Sequence, residues 1–367
     1  MNDDFLKRQL EQRRAQNALR QLPPERNLID FCSNDYLGFA GEQHFSNPGK
    51  TGATGSRLIS GNSSLAELLE KQLATFHQAE SGLLFNSGYA ANLGLLSCIA
   101  DRHDTILYDQ LAHASIRDGI RLSLAKSYSF QHNDLADLQK KIRQASGRIF
   151  IVVESIYSMD GDEAPLAEIC AIAEESGAYL IVDEAHSNGV FGANGEGLVV
   201  EKKLQHKVWA RIHTFGKAVG GHGAIVLGAR ALRDFLINFS RPFIYTTALP
   251  EHALLAIKNA YEKLPGNPAI LRTHHNVSLF KDSLSAQAKE YFVPSRSPIQ
   301  CLIWQGNDRV KAFANAVQAA GYDVRPILHP TVPAGEERLR ICIHAFNSEA
   351  EIAGLVRVIN IYIAKYE

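Results

Sequence analysis

The sequence predicts an α/β fold, a mostly parallel central sheet flanked by helices, followed by a smaller C-terminal α+β domain. Three observations lead there. From about residue 63 to 265, short apolar runs alternate with stretches of helical period, the pattern of βαβ units. The runs are almost continuously apolar, as strands covered on both faces must be. After Leu264-Pro265-Gly266 the alternation stops, and the 367 residues allow roughly two domains of ~150 residues. The expected division is an N-terminal helix and arm over 1–40, a large domain over 41–265 and a small one over 266–367.

Taken in order, residues 3–22 set Phe5, Leu6, Leu10 and Leu19 among Arg, Gln and Lys, which predicts an amphipathic helix stopped by Pro23-Pro24. The glycine-rich segment 41–62 reads as loop. Strands are predicted at Gly82–Phe85, Thr105–Tyr108, Ile149–Glu154, Ala178–Asp183, Val208–His213 and Ala224–Leu227. Helices are predicted between them at 64–77, 89–100, 134–145 and 165–176, and another begins at His113. The last hundred residues predict a long helix over 268–289, strands at 299–304, 322–327 and 338–343, and a final helix over 349–364.

Composition narrows the function. Thirty-eight basic residues against 39 acidic ones leave a formal charge of −1, without the basic excess of a nucleic-acid binder. No apolar run approaches the ~20 residues of a membrane span, and the first 25 residues lack the apolar core of a signal peptide. The five cysteines are scattered without CxxC spacing, so no metal site or disulfide framework is expected. The expectation is a soluble, globular, cytoplasmic protein with no nucleic-acid or membrane partner.

The chemistry concentrates at strand ends. The apolar run through Val182 stops abruptly in Asp183-Glu-Ala-His186, and ligands of open α/β sheets bind at the carboxyl ends of strands. Lys217 follows the next strand among small and apolar residues, where desolvation can make an amine nucleophilic towards carbonyls. A lysine and a carboxylate on consecutive strand ends suit pyridoxal 5′-phosphate (PLP), which needs a Schiff-base amine and a partner for its pyridine nitrogen. Gly88 and Tyr89 open a helix after a strand, where unpaired N–H groups suit a phosphate. His113 falls on the same edge and offers a flat ring for a flat cofactor. A rival reading takes Asp-Glu-Ala-His as a helicase motif and Gly49-Lys50-Thr51 as the end of a phosphate-binding loop. That loop needs a glycine where His44 stands, and Pro48 removes a further N–H donor.

Six stretches in order carry a resemblance over nearly the whole chain: Asn34-Asp-Tyr-Leu-Gly38, Gly55-Ser-Arg-Leu-Ile-Ser-Gly61, Asn86-Ser-Gly-Tyr-Ala-Ala-Asn92, Ser158-Met-Asp-Gly161, Asp183-Glu-Ala-His186 and Thr214-Phe-Gly-Lys217. The set resembles the α-oxoamine synthases, PLP-dependent acyltransferases of fold type I that join an amino acid to an acyl thioester with loss of CO2. The resemblance implies that Lys217 carries PLP and acts as base, that Asp183 holds the pyridine nitrogen, and that His186 and Ser158 bond its 3-oxygen. It implies that His113 stacks on the ring and meets substrate. Gly88, Tyr89 and Thr214 would hold the phosphate, with Thr246 or Thr247 contributed by the second subunit of a homodimer. Asn34 and Arg340 would take the amino-acid substrate, and Arg20 and Thr331 the acyl end. Arg13-Arg14-Ala, Ile244–Pro250, Thr331–Gly335 and Arg338-Leu-Arg340 resemble most the branch that condenses L-alanine with a pimeloyl thioester for biotin synthesis, the acyl group coming from CoA or an acyl carrier protein. Branches using glycine or L-serine are the alternatives. Three departures stand out: a short segment between Gly38 and Gly55, Ser187 where glycine is common, and the loop Gly220-Gly-His-Gly223.

Overall fold

The computed structural model describes residues 3–22, 27–42 and 50–366. It divides into two compact units. The larger comprises Asn34–Ser158 and Glu163–Leu271; the other comprises Met1–Ser33, Met159–Asp162 and Arg272–Glu367.

The larger unit is built on a seven-stranded sheet. Its strands are β1 (Ser81–Phe85), β2 (Thr105–Asp109), β3 (Lys126–Phe130), β4 (Ile149–Glu154), β5 (Tyr179–Asp183), β6 (Ala210–Thr214) and β7 (Ala224–Gly228), in the order β1-β7-β6-β5-β4-β2-β3. Only β7 runs antiparallel to its neighbours. Ile151, Val152, Val153, Ile181 and Val182 are fully buried, as expected of strands covered by helices on both faces. Leu95 and Leu96 of helix Gly88–Leu96 and Ile116 and Ile120 of helix Ala114–Leu122 join Ile106, Phe150, Ile181 and Ile212 in one core. Register places Glu154 beside Asp183 and Asp183 beside Ile212, so the polar ends of β4, β5 and β6 lie side by side. β3 is absent from the sequence reading. Four of its five residues are exposed, and Lys-Ser-Tyr-Ser-Phe shows the polar character of an edge strand that must not recruit another chain.

In the second unit, Arg325–Ile327, Arg338–Cys342 and Ile299–Ile303 form an antiparallel sheet in that order. Phe313, Ile352, Leu355, Ile359 and Ile363 pack with Phe31 and Trp304 into its core. Three sequence expectations need correction here. The N-terminal helix spans only Asp4–Ala15. Asn17 takes a left-handed φ of 50°, and the Ala18 N–H donates to the Arg13 carbonyl at 2.9 Å, closing the helix well before the prolines. Pro23 and Pro24 lie outside the described residues, as do His44, Pro48 and Gly49. The expected helix over 268–289 breaks into Pro268–Ser283 and Ala286–Lys289, with the Ser285 hydroxyl accepting the Ala288 N–H to start the second. The strand expected over 322–327 also divides: Tyr322–Asp323 pairs with Ile29–Asp30, and Arg325–Ile327 with the sheet. No helix among the described residues is long and apolar enough to cross a membrane.

Candidate active site

Asp183 ends β5 almost fully buried. One carboxylate oxygen accepts the Ala185 N–H at 2.9 Å, and the other accepts the Asn92 side-chain amide at 2.7 Å. The same amide nitrogen donates to the Ser115 hydroxyl at 3.1 Å, and that hydroxyl lies 2.7 Å from His113 Nδ1. The Ser115 N–H also points at Nδ1, which is therefore an acceptor, so the imidazole proton sits on Nε2. His113 is exposed, yet burial of part of its ring holds its pKa below the ordinary value; Lys217 adds to that shift and Asp183 opposes it.

Glu154 ends β4 beside Asp183 and is buried. It accepts the His113 N–H at 2.7 Å and also the Ser158 N–H, tying the loops after β2 and β4 together. Burial first, then the Asp183 charge, push its pKa up to about 8, against the pull of Lys217 and the two N–H groups.

Lys217 follows β6, and its Nζ lies 2.6 Å from His186 Nε2. The other ring nitrogen of His186 lies 2.7 Å from the Tyr36 hydroxyl, which donates to Asn34 Oδ1 at 3.0 Å. Asp183 and His186 thus face the site. Glu184 and Ser187 serve a buried network behind it. Glu184 accepts the Val199 N–H and the Ser187 hydroxyl, both at 2.9 Å, and approaches His213 at 3.3 Å. Burial works against its charge, but His213, Arg211 and the Val199 N–H outweigh it and hold the carboxyl below its ordinary pKa. Ser155 donates to Ser187 at 2.9 Å, so the serine that replaces the common glycine is fully engaged. Tyr261 donates to Asn188 Oδ1 at 3.2 Å, and the Asn188 amide holds the Thr214 carbonyl at 3.0 Å, three residues before Lys217.

The turn between β1 and the next helix is capped by Ser87, whose hydroxyl accepts the Ala90 N–H. That leaves the Gly88 and Tyr89 N–H groups at the helix start. A Cβ on Gly88 would come within 3.3 Å of the half-buried Thr214 side chain, so glycine keeps this corner open. Asn86 donates to the Thr247 carbonyl at 2.7 Å, drawing the segment with Thr246 and Thr247 beside the same turn. Gly220, at φ 63°, is the departure with a steric reason: a Cβ there would strike the backbone of Phe39 and Ala40 within 2.5 Å.

In the second unit, Arg20 donates to the Thr331 hydroxyl at 3.0 Å, so the two residues expected at the acyl end are brought together. Arg340 is buried and meets Cys342 Sγ at 3.0 Å, whereas Arg338 is tied to Asp160, Glu336 and the Met159 carbonyl. In the larger unit Ser158, expected at the 3-oxygen, is buried, and its N–H donates to Glu154.

An amine, a buried carboxylate on the neighbouring strand end, an exposed imidazole and a helix start kept open by glycine fit the amine, pyridine nitrogen, ring and phosphate needs of PLP. The class I and II aminotransferase pattern matches residues 26–359. The chain belongs to that family, in its α-oxoamine synthase branch. The aminotransferase-family chain is 41% identical to an 8-amino-7-oxononanoate synthase of Emericella nidulans, over 92% of this chain and 90% of the relative. Among solved structures it is similar to a serine palmitoyltransferase from S. paucimobilis with bound PLP–myriocin aldimine, at 26% identity, TM-score 0.87, and coverage of 99% of this chain and 98% of the other. It is also similar to an 8-amino-7-oxononanoate synthase from Francisella tularensis, at 29% identity, TM-score 0.81, and coverage of 92% and 98%. The fold is that of fold-type-I PLP transferases.

Sequence reasoning assigned no role to Tyr36, Asn92, Ser115 or Glu154. Glu154 could have been found, since it ends an apolar strand in the same way as Asp183. Asn92 and Tyr36 lie inside motifs, but only the fold shows which partners they meet.

Proposed function

We propose that this chain condenses L-alanine with a pimeloyl thioester, forming 8-amino-7-oxononanoate and releasing CO2 and the free thiol, with PLP held on Lys217. The observation that carries the chemistry is the convergence of Lys217, His186 and Asp183 on adjacent strand ends. The substrate pair rests on the 41% identity to a synthase of that name, against 26% to the serine-using transferase. A new C–C bond forms between the alanine Cα and the acyl carbonyl carbon. The C–S bond of the thioester and the Cα–carboxylate bond break. PLP, when bound, supplies a carbonyl for the amine and a ring that delocalises the electron pair left at Cα.

The chain's own groups have separate tasks. Asp183, already fixed by Asn92 and Ala185, holds a proton at the pyridine nitrogen. Lys217 Nζ takes and returns the Cα proton. His186 and Ser158 would bond the 3-oxygen, and His113, anchored by Glu154, would stack on the ring. Gly88, Tyr89 and Thr214 would hold the phosphate, helped by the positive end of the helix dipole. Asn34 and the Arg340 fork suit the amino-acid carboxylate, and Arg20 with Thr331 the far end of the acyl chain. A homodimer in which Thr246 or Thr247 reaches the neighbouring site is part of this reading, in a cytoplasmic enzyme accepting CoA or carrier-protein thioesters. Support for the dimer comes from Ile59 and Tyr245, 85% and 73% exposed, on loops joined by the Ala248 N–H to Gly55 carbonyl bond of 2.9 Å.

Replacing Lys217 by alanine is expected to abolish both the visible absorption that PLP gives with the wild-type protein and all turnover. Normal turnover by this variant would sink the assignment. If product formed fastest from glycine or L-serine, the branch would change and the chemistry would stand.

A further inference from the structure

We propose that Tyr36 is a positioning residue whose hydroxyl lets His186 exchange one ring proton position for the other, so that the same imidazole can serve first the Lys217 amine and then an acceptor oxygen of the cofactor. The cofactor half of this proposal rests on the function proposed above; the half that concerns the chain alone does not.

A phenol carries one proton. Tyr36 gives it to Asn34 Oδ1 at 3.0 Å, so its oxygen must accept at the 2.7 Å contact with His186 Nδ1. A neutral His186 therefore has its proton on Nδ1 and a lone pair on Nε2. That lone pair faces Lys217 Nζ at 2.6 Å, and an ammonium is a donor only. The protons along Lys217–His186–Tyr36–Asn34 thus run in one direction, each donor matched to an acceptor.

An acceptor oxygen placed at Nε2 reverses the demand, because Nε2 must then carry the proton and Nδ1 must accept. A carbonyl partner at Nδ1 could not provide that proton, and an amide N–H could not have accepted before. In the exchange Nε2 gains a proton from the Lys217 ammonium, and Nδ1 releases its own to solvent while the site is open to the incoming cofactor. A hydroxyl then matches either tautomer by rotating its own proton from Asn34 to His186. Tyr36 is fully buried, so water does not take the place of its hydroxyl. Its ring centroid is 6.2 Å from that of His186 at an interplanar angle of 49°, so the two residues meet through the hydroxyl and not by stacking.

The test uses protein labelled with 15N-histidine, in which the two ring nitrogens report the tautomer directly, and His186 is assigned by the signal missing from His186→Gln. The wild-type protein without PLP should show His186 with Nδ1–H. Saturating PLP should move it to Nε2–H. Tyr36→Phe keeps the ring and its packing; it should show a mixture of tautomers without PLP and retain PLP about tenfold less tightly. An Nε2–H or doubly protonated His186 in the PLP-free wild type would overturn the proposal. So would a Tyr36→Phe protein whose His186 signals and PLP affinity match the wild type. Absence of a visible PLP band in both proteins would count against the cofactor reading, while the PLP-free spectra still decide the role of Tyr36.

Discussion

Glu154 and Asp183 are side by side on neighbouring strands, yet they are provided for differently. Asp183 has the Asn92 amide and the Ala185 N–H on separate oxygens, each a charge-assisted bond. Removing Asn92 by Asn92→Leu leaves one oxygen of a buried carboxylate without its donor, at a cost of about 1.5–3 kcal/mol. We expect weaker PLP retention together with a lower urea midpoint, and an unchanged midpoint would show that Asn92 is dispensable to Asp183. Glu154 has two main-chain donors but lies in a site that resists a second negative charge. It holds its proton up to about 8, whereas the unfolded chain releases it near the ordinary value of 4.5. Between those values the native state binds more protons, so this group's contribution to stability declines as pH rises from about 4.5 to about 8. Glu154→Gln keeps an acceptor oxygen for His113 and removes the titration. Its stability relative to wild type should therefore improve between pH 5 and pH 8 in urea melts, and a constant difference would contradict the raised pKa. At this scale Asp183, Lys217 and His186 were legible because strand-end polar residues stand out against apolar runs. Tyr36, Asn92 and Ser115 were not, because each acts through a partner more than twenty residues away that only folding brings near.

At the scale of elements, the turn from β1 into Gly88–Leu96 and the turns that follow Asp183 set the site's outline. Gly88→Ala would press a methyl group against Thr214 in the corner assigned to the phosphate. We expect PLP affinity to fall at least tenfold while the melting temperature without PLP changes little; an equal loss of both would make Gly88 a folding residue instead. Behind the sheet, Ser187→Gly removes the hydroxyl that joins Ser155 to the buried Glu184 carboxylate. That should cost about 1–3 kcal/mol in urea unfolding, with the visible spectrum retained, and no change in midpoint would mean that glycine serves as well there. The buried strands were readable in sequence because burial on both faces makes them apolar throughout. β3 was not, since an exposed edge strand looks like loop. Helix ends were misjudged where the stop came from a left-handed asparagine or a serine cap, signals weaker than the prolines and glycines that sequence reading favours.

For the whole molecule, His44 in place of a loop glycine and Pro48 weighed against the nucleotide-driven reading, which stayed only as a remote alternative. In the Asp-Glu-Ala-His stretch, Asp183 and His186 face the site while Glu184 serves the network behind it. The 41% identity and the match over residues 26–359 extend the chemistry of the site to a reaction class, while the amino acid used depends on pocket shape. One methyl or hydroxyl is worth only ~1–3 kcal/mol in an apolar pocket. The most direct test is therefore a visible absorption titration of the PLP-loaded protein with L-alanine, glycine and L-serine in parallel. The account predicts a PLP band absent from Lys217→Ala and perturbed at the lowest concentration by L-alanine. A protein that gives no band with PLP in excess, or the same band without Lys217, would contradict it.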